Sequence, residues 1–149
     1  YKGQLGPMPE NYRGILDVDL SICTACQLCV KACPIDCIVI DAVKCDKSKV
    51  QGTKSEKPAV KTRTCTRFDI HMGKCMFCAL CTLACPTGAI VHTKVFEMNK
   101  YQLQDLVLSF VSEEEKEKAI KRDSELKVEA AAEKAAKAAK EAEKTEEEK

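Results

Sequence analysis

Apolar and polar positions alternate in four short stretches of this chain, residues 13–19, 38–43, 63–70 and 89–96. Period-2 alternation with β-branched content predicts a strand at each. Residues 29–33 and 81–85, placed between those strands, have small or apolar spacers and predict a short helical turn apiece. The pattern therefore predicts two βαβ halves forming one small α+β core. Residues 46–61 separate the halves, are rich in Lys, Ser, Gly and Pro, and predict a surface loop.

Beyond the core the pattern changes twice. Residues 101–111 place Leu103, Leu106, Val107 and Phe110 at helical spacing. Such a face either docks on a partner or packs back on its own core. After Ser112, residues 113–149 are Ala, Glu and Lys with almost no large apolar side chain. Glu117/Lys121 and Glu133/Lys137 have the favourable Glu-before-Lys order at i,i+4. The tail reads as solvated, either partly helical or disordered. The chain thus divides into an N-terminal extension (1–12), a core domain (13–97), a partner-docking segment (98–112) and a charged tail (113–149).

Aligning residues 23–40 on 75–92 gives 9 identities in 18 positions, including Leu28/Leu80, Ala32/Ala84, Ile38/Ile90 and Val39/Val91. That is an internal duplication, and it implies a pseudo-twofold core. What is duplicated is chemically specific. Cys23, Cys26, Cys29 and Cys33-Pro34 recur as Cys75, Cys78, Cys81 and Cys85-Pro86, each a C-x2-C-x2-C-x3-C-P run. This is the ligand string of a two-cluster bacterial ferredoxin, and it predicts two [4Fe–4S] clusters. In this motif class the fourth cysteine of a run ligates the other cluster. The assignment is Cys23, Cys26, Cys29 and Cys85 for the first cluster, and Cys75, Cys78, Cys81 and Cys33 for the second. Pro34 and Pro86 lack an N–H and turn the chain away from the site.

Structural zinc and disulfides are the competing uses of these thiols. Zinc sites pair C-x2-C motifs without a third cysteine at the same step and a closing Cys-Pro. Of the 11 cysteines, Cys37, Cys45 and Cys65 fall outside the runs. Cys37 aligns with Ala89, which favours a small buried residue beside a cluster, and Cys45 and Cys65 lie on predicted strands or their edges. His71 and His92 read as surface or capping residues, and Met8, Met72, Met76 and Met98 as packing residues.

Bulk properties narrow the function further. Residues 1–112 carry 14 basic and 10 acidic side chains, and residues 113–149 carry 10 and 13. A core at +4 with no aromatic-and-basic pattern argues against nucleic acid. With 4 Phe, 3 Tyr and no Trp the organic core is thin, so metal must supply much of the folding free energy. The cysteine usage predicts a reducing compartment. No stretch approaches the ~18 apolar residues of a membrane span. No nucleophile–base pairing, phosphate-cradling loop or nucleotide fingerprint is present, so no catalytic residue and no substrate pocket are assigned.

The flanks of the cysteine runs resemble subunit I of NADH:quinone oxidoreductase, the respiratory complex I family. Residues 9–16 (PENYRGIL) resemble its Pro-x-x-Tyr-Arg-Gly entry strand, and residues 66–75 (TRFDIHMGKC) its lead into the second run, with His71 where the family has Asp. Residues 85–91 (CPTGAIV) fit the exit turn, and residues 96–109 (FEMNKYQLQDLVLS) the closing segment. Residues 46–61 and the tail fall outside the family pattern. The resemblance implies a proton-translocating oxidoreductase in which this subunit binds no substrate and relays electrons through two clusters toward a terminal cluster and quinone. It implies partners among the neighbouring cluster-bearing subunits, indirect contact with the membrane arm, and a peripheral position on the cytoplasmic face of the inner (plasma) membrane, or the matrix side in a mitochondrion. A free two-cluster ferredoxin carrier and a cluster subunit of a related membrane-bound hydrogenase are the alternatives.

Overall fold

The computed structural model describes residues 8–54 and 57–146, with side chains described through Glu129. The first seven residues of the predicted extension and the Glu133/Lys137 pair lie outside that description. The four predicted core strands all form. β1 (Leu16–Val18) leads into α1 (Leu28–Ala32), followed by β2 (Ile38–Val50). The second half repeats the order with β3 (Ala59–His71), α2 (Leu80–Ala84) and β4 (Ile90–His92).

Pairing follows the pseudo-twofold. β1 lies antiparallel to β4, with Leu16 opposite His92 and Val18 opposite Ile90. β2 lies antiparallel to β3, with Ile38 opposite Ile70 and Ile40 opposite Phe68. The entry strand of each half thus pairs with the exit strand of the other. Past the short β1–β4 ladder, Gly14 N–H donates to Thr93 O at 3.1 Å and Ile15 N–H to Val95 O at 2.8 Å. A Cβ on Gly14 would stand 2.3 Å from Val95 O, so only glycine allows the two backbones this close.

The alternating positions meet at the centre. Phe68, Leu16, Ile70 and Ile90 are the largest fully buried side chains. α1 packs against α2 beside them. Truncating Phe68 to Ala would cost about 3–5 kcal/mol by the usual cavity penalty.

Three expectations change. The predicted loop over residues 46–61 is mostly strand, because β2 runs to Val50 and β3 resumes at Ala59. The lysines that made this stretch read as a loop lie along a long hairpin, with register shifts after Asp41 and after Lys44.

Residues 101–111 form no α-helix. Leu103–Leu106 make a single 3-10 turn, and β5 (Val107–Ser109) then adds to the free edge of β3, with Ile70 opposite Leu108. Four apolar positions in 11 residues fit either period, and an open strand edge decides for pairing. Phe110 stacks edge-on to Phe68 with ring centroids 6.0 Å apart, so that end packs on the core. Leu103, at 77% exposure, does not.

The tail is a helix, α3 (Glu113–Glu146). Ser112 and Glu115 form a capping box, with Glu115 N–H to Ser112 Oγ at 3.3 Å and Ser112 N–H to a Glu115 carboxylate oxygen at 3.1 Å. Its first turns are not solvated on all sides. They lie across β2 and β3, bury Ala119 and Asp123, and hold the hairpin through Lys44 N–H to Asp123 Oδ1 at 3.1 Å and Arg122 to Asp46 at 2.7 Å. Ion pairs along the helix are Glu113–Lys116, Arg122–Glu125 and Asp123–Lys127. Among the described residues no helix is long and apolar enough to cross a membrane.

Candidate metal centre

Each cysteine run begins in a loop whose backbone is forced into an uncommon shape. Ala25 and Gln27 flank Cys26 with φ of 52° and 61°, and Phe77 and Ala79 flank Cys78 with φ of 53° and 65°. Left-handed conformation at non-glycine residues is costly and persists where surroundings impose it. Here it occurs at the same positions of both halves. Turns of this kind aim successive N–H groups inward and make anion-binding concavities, as many iron–sulfur sites require. The last cysteine of each run then leaves the short helix in extended conformation, at Cys33 and Cys85.

That exit sends the fourth thiol across the pseudo-twofold. One cavity is lined by Cys23, Cys26, Cys29 and Cys85, with Val18, Ile40, Phe68 and Ile90 among its apolar walls. A second is lined by Cys75, Cys78, Cys81 and Cys33, with Cys37, Leu16, Ile35 and Phe77 among its walls. All eight candidate ligands thus line two cavities, four to each. No three His, Cys, Asp or Glu side chains among the described residues are close enough to hold a single metal ion.

Backbone N–H groups are aimed at two sulfurs of the second cavity. Phe77 N–H reaches Cys75 Sγ at 3.5 Å, and Cys37 N–H reaches Cys33 Sγ at 3.4 Å. Burial pushes the Cys29 thiol up to about 12 and that of Cys81 up to about 11. Burial also pushes Cys33 and Cys85 upward, but hydrogen bonds hold both below the ordinary thiol range. At Cys33 the opposing donors include the Cys37 and Ile35 N–H groups, and at Cys85 the Ile90 N–H and the Thr87 hydroxyl. The hydrogen bond with Cys65 lowers the Cys23 thiol to about 6, against its burial. Metal loading releases whatever protons remain on these thiols.

Of the cysteines outside the runs, Cys37 is 2% exposed and Cys65 6% exposed, which bears out the small-buried-residue reading. Cys45 is half-buried. His92 is the histidine at the site. Its ring lines the second cavity and its Nδ1 lies 2.7 Å from the Gly14 carbonyl, so that nitrogen carries the proton. Its Nε2 is buried without a partner among the described protein atoms, a polar atom that a bound group would meet. His71 lies at the end of β3, with its carbonyl accepting from Cys75 N–H at 3.2 Å.

Arg13 was not singled out by sequence as a site residue. Its guanidinium donates to the carbonyls of Phe77 and Cys78 at 3.5 and 3.3 Å and clamps the second ligand loop. No spacing rule links residues so far apart, although the arginine falls within the entry-strand motif.

The comparisons agree with this geometry. Residues 22–89 match the family described as a 4Fe-4S dicluster domain. An NADH-quinone oxidoreductase subunit I 2 from Geobacter metallireducens is 34% identical over 112 residues, covering 72% of this chain and 74% of that one. The chain belongs to the NADH-quinone oxidoreductase subunit I family. Relatives of the same printed name include one from Symbiobacterium thermophilum, 33% identical over 74% of this chain and 43% of its own length. Another, from Anaeromyxobacter dehalogenans, is 45% identical over 67% of this chain and 34% of its own. The chain therefore spans about half the length, or less, of several curated relatives it matches. Two [4Fe–4S] clusters are the cofactors of such a dicluster domain, and two cavities with four candidate ligand thiols each fit them.

Proposed function

We propose that the chain is the electron-relay subunit of a membrane-associated NADH-quinone oxidoreductase. The observation that carries this reading is the pair of thiol-lined cavities in one duplicated core, each with three cysteines of one run and the fourth of the other. Cys23, Cys26, Cys29 and Cys85 hold one cluster in this reading, and Cys75, Cys78, Cys81 and Cys33 the other. Bound there, such clusters accept and pass single electrons by outer-sphere transfer, with no bond made to a substrate.

The protein's part is to hold, insulate and orient. Phe68, Ile40 and Ile90 keep water from the first site, and Leu16 and Phe77 wall the second. N–H groups aimed at sulfur favour the more negative state. The α1–α2 contact sets the two sites side by side. Cys26 is exposed and Met76 is 58% exposed, which leaves each site an open side for an electron to enter or leave.

Residues 98–112 serve in this reading as the face toward neighbouring cluster-bearing subunits. Support comes from Tyr101 and Leu103, both highly exposed, with Phe96 and Val95 also exposed nearby. Through such partners the chain sits peripherally at the membrane, on the cytoplasmic face or its matrix equivalent. Replacing Tyr101 and Leu103 together with Asp, then isolating the complex from membranes, tests this. The variant is expected to keep its iron yet fail to co-purify, with quinone reduction lost. Normal assembly with both charges in place would reject the face.

A further inference from the structure

We propose that Cys65 and Cys37 are positioning thiols, each donating an S–H hydrogen bond to one ligand sulfur and raising the reduction potential of that cluster alone. Cys65 Sγ lies 3.9 Å from Cys23 Sγ, and Cys37 Sγ lies 3.4 Å from Cys33 Sγ. Cys23 borders the first cavity and Cys33 the second, so each site has one such neighbour.

The direction of the bond follows from ligation, and the inference rests on the ligand sets proposed above. A coordinating thiol is deprotonated outright. Cys23 and Cys33 then accept only, and the remaining S–H belongs to Cys65 and Cys37. Neither bond is a chance surface contact, since both extra cysteines are buried.

The backbone places each of them. In β3, Arg67 stands opposite Asp41 and Cys65 opposite Ala42, so Thr66 is the extra residue of a bulge. With Phe68 facing inward, strict alternation would turn Thr66 inward and Cys65 out. The bulge reverses that parity, which is how bulges re-aim side chains. Cys37 sits one residue before β2, where its carbonyl accepts from His71 N–H at 2.8 Å. Its own N–H points at Cys33 Sγ, so backbone and thiol converge on one sulfur.

Hydrogen bonds to cluster sulfurs are among the determinants of potential. A donor stabilises the reduced, more negative state, so its removal lowers the potential. The effect must be local, because each thiol meets a different ligand set.

The test is an anaerobic redox titration of the full chain, reconstituted with iron and sulfide and followed by electron paramagnetic resonance. Cys65→Ala should lower the potential of the first cluster only, and Cys37→Ala that of the second only. A tenfold change in the one-electron equilibrium reads as about 59 mV. Cys65→Ser and Cys37→Ser, which keep a donor, should stay closer to the parent. No shift, equal shifts for Ala and Ser, shifts at both clusters, or loss of iron would each overturn the proposal. Cys23→Ala and Cys33→Ala distinguish the two failures. Full iron in both would remove the ligand sets and this inference together, whereas lost iron there with no shift at Cys65 or Cys37 would remove the inference alone.

Discussion

Gly52, near the turn of the long hairpin, lies so close to Thr87 that a Cβ on the glycine would stand 2.7 Å from the Thr87 Cα and carbonyl oxygen. Thr53 N–H donates to that same carbonyl at 2.8 Å. Lys54 Nζ reaches back to the Thr82 carbonyl on α2. The hairpin's far end therefore covers the turn just after Cys85, a residue of the first cavity. Gly52→Ala should push it off, costing about 1–3 kcal/mol as a small-to-large change against backbone. The measurement is chelator-driven iron loss, expected to quicken at the first site before the second.

Ligand exchange across the core has its own signature. The intact chain should bind about eight iron and eight sulfide. Cys85→Ala should impair the cluster of the first run, and Cys33→Ala that of the second. Spectroscopy showing each substitution to harm only its own run's cluster would reject the crossing.

Two truncations should behave differently. Ending the chain after Ser112 removes Ala119, Asp123 and Arg122 from the hairpin, and should lower stability by on the order of 2 kcal/mol. Ending it after Glu129 keeps all three contacts and should leave the unfolding midpoint unchanged. Denaturant titration of both loaded proteins separates the outcomes.

Asp69 makes stability depend on pH. Burial pushes its carboxyl up, but hydrogen bonds from Arg67, at 2.5 Å, and Ser109 outweigh it and hold the group below the ordinary range. A depressed carboxyl stabilises the fold above its unfolded value, about pH 4, and that contribution fades as pH falls through the folded value. Asp69→Asn should unfold at lower denaturant than the parent at pH 7, by about 1–3 kcal/mol. The gap should hold down to about pH 4 and narrow below it.

Legibility in the sequence followed the range of the interactions. The ligand runs and the strands around them are local patterns, and the duplication read twice what one copy would have left ambiguous. The crossed grouping of Cys33 and Cys85 came from knowledge of the motif class, since spacing alone does not set two halves in opposite registers. The hairpin was hidden because Lys47 and Lys49 on strand look like loop, and the start of α3, which packs against β2 and β3, lies more than 60 residues on. β5 was hidden because its partner is an edge that exists only after folding. Cys65 reads from the sequence as a small buried residue, but its approach to Cys23 is not legible there because the bulge that turns it inward depends on pairing with β2.

Crossing the ligand sets also bears on how the protein is made. A nascent chain that has emerged only as far as Pro34 presents three thiols to the first cavity and holds a fourth, Cys33, that faces a cavity not yet synthesised. With these ligand sets neither site has its four thiols until Cys81 leaves the ribosome, and the first waits for Cys85. Iron delivery must then follow synthesis of both runs, and a product terminated before Cys81 has no complete ligand set in which to trap metal.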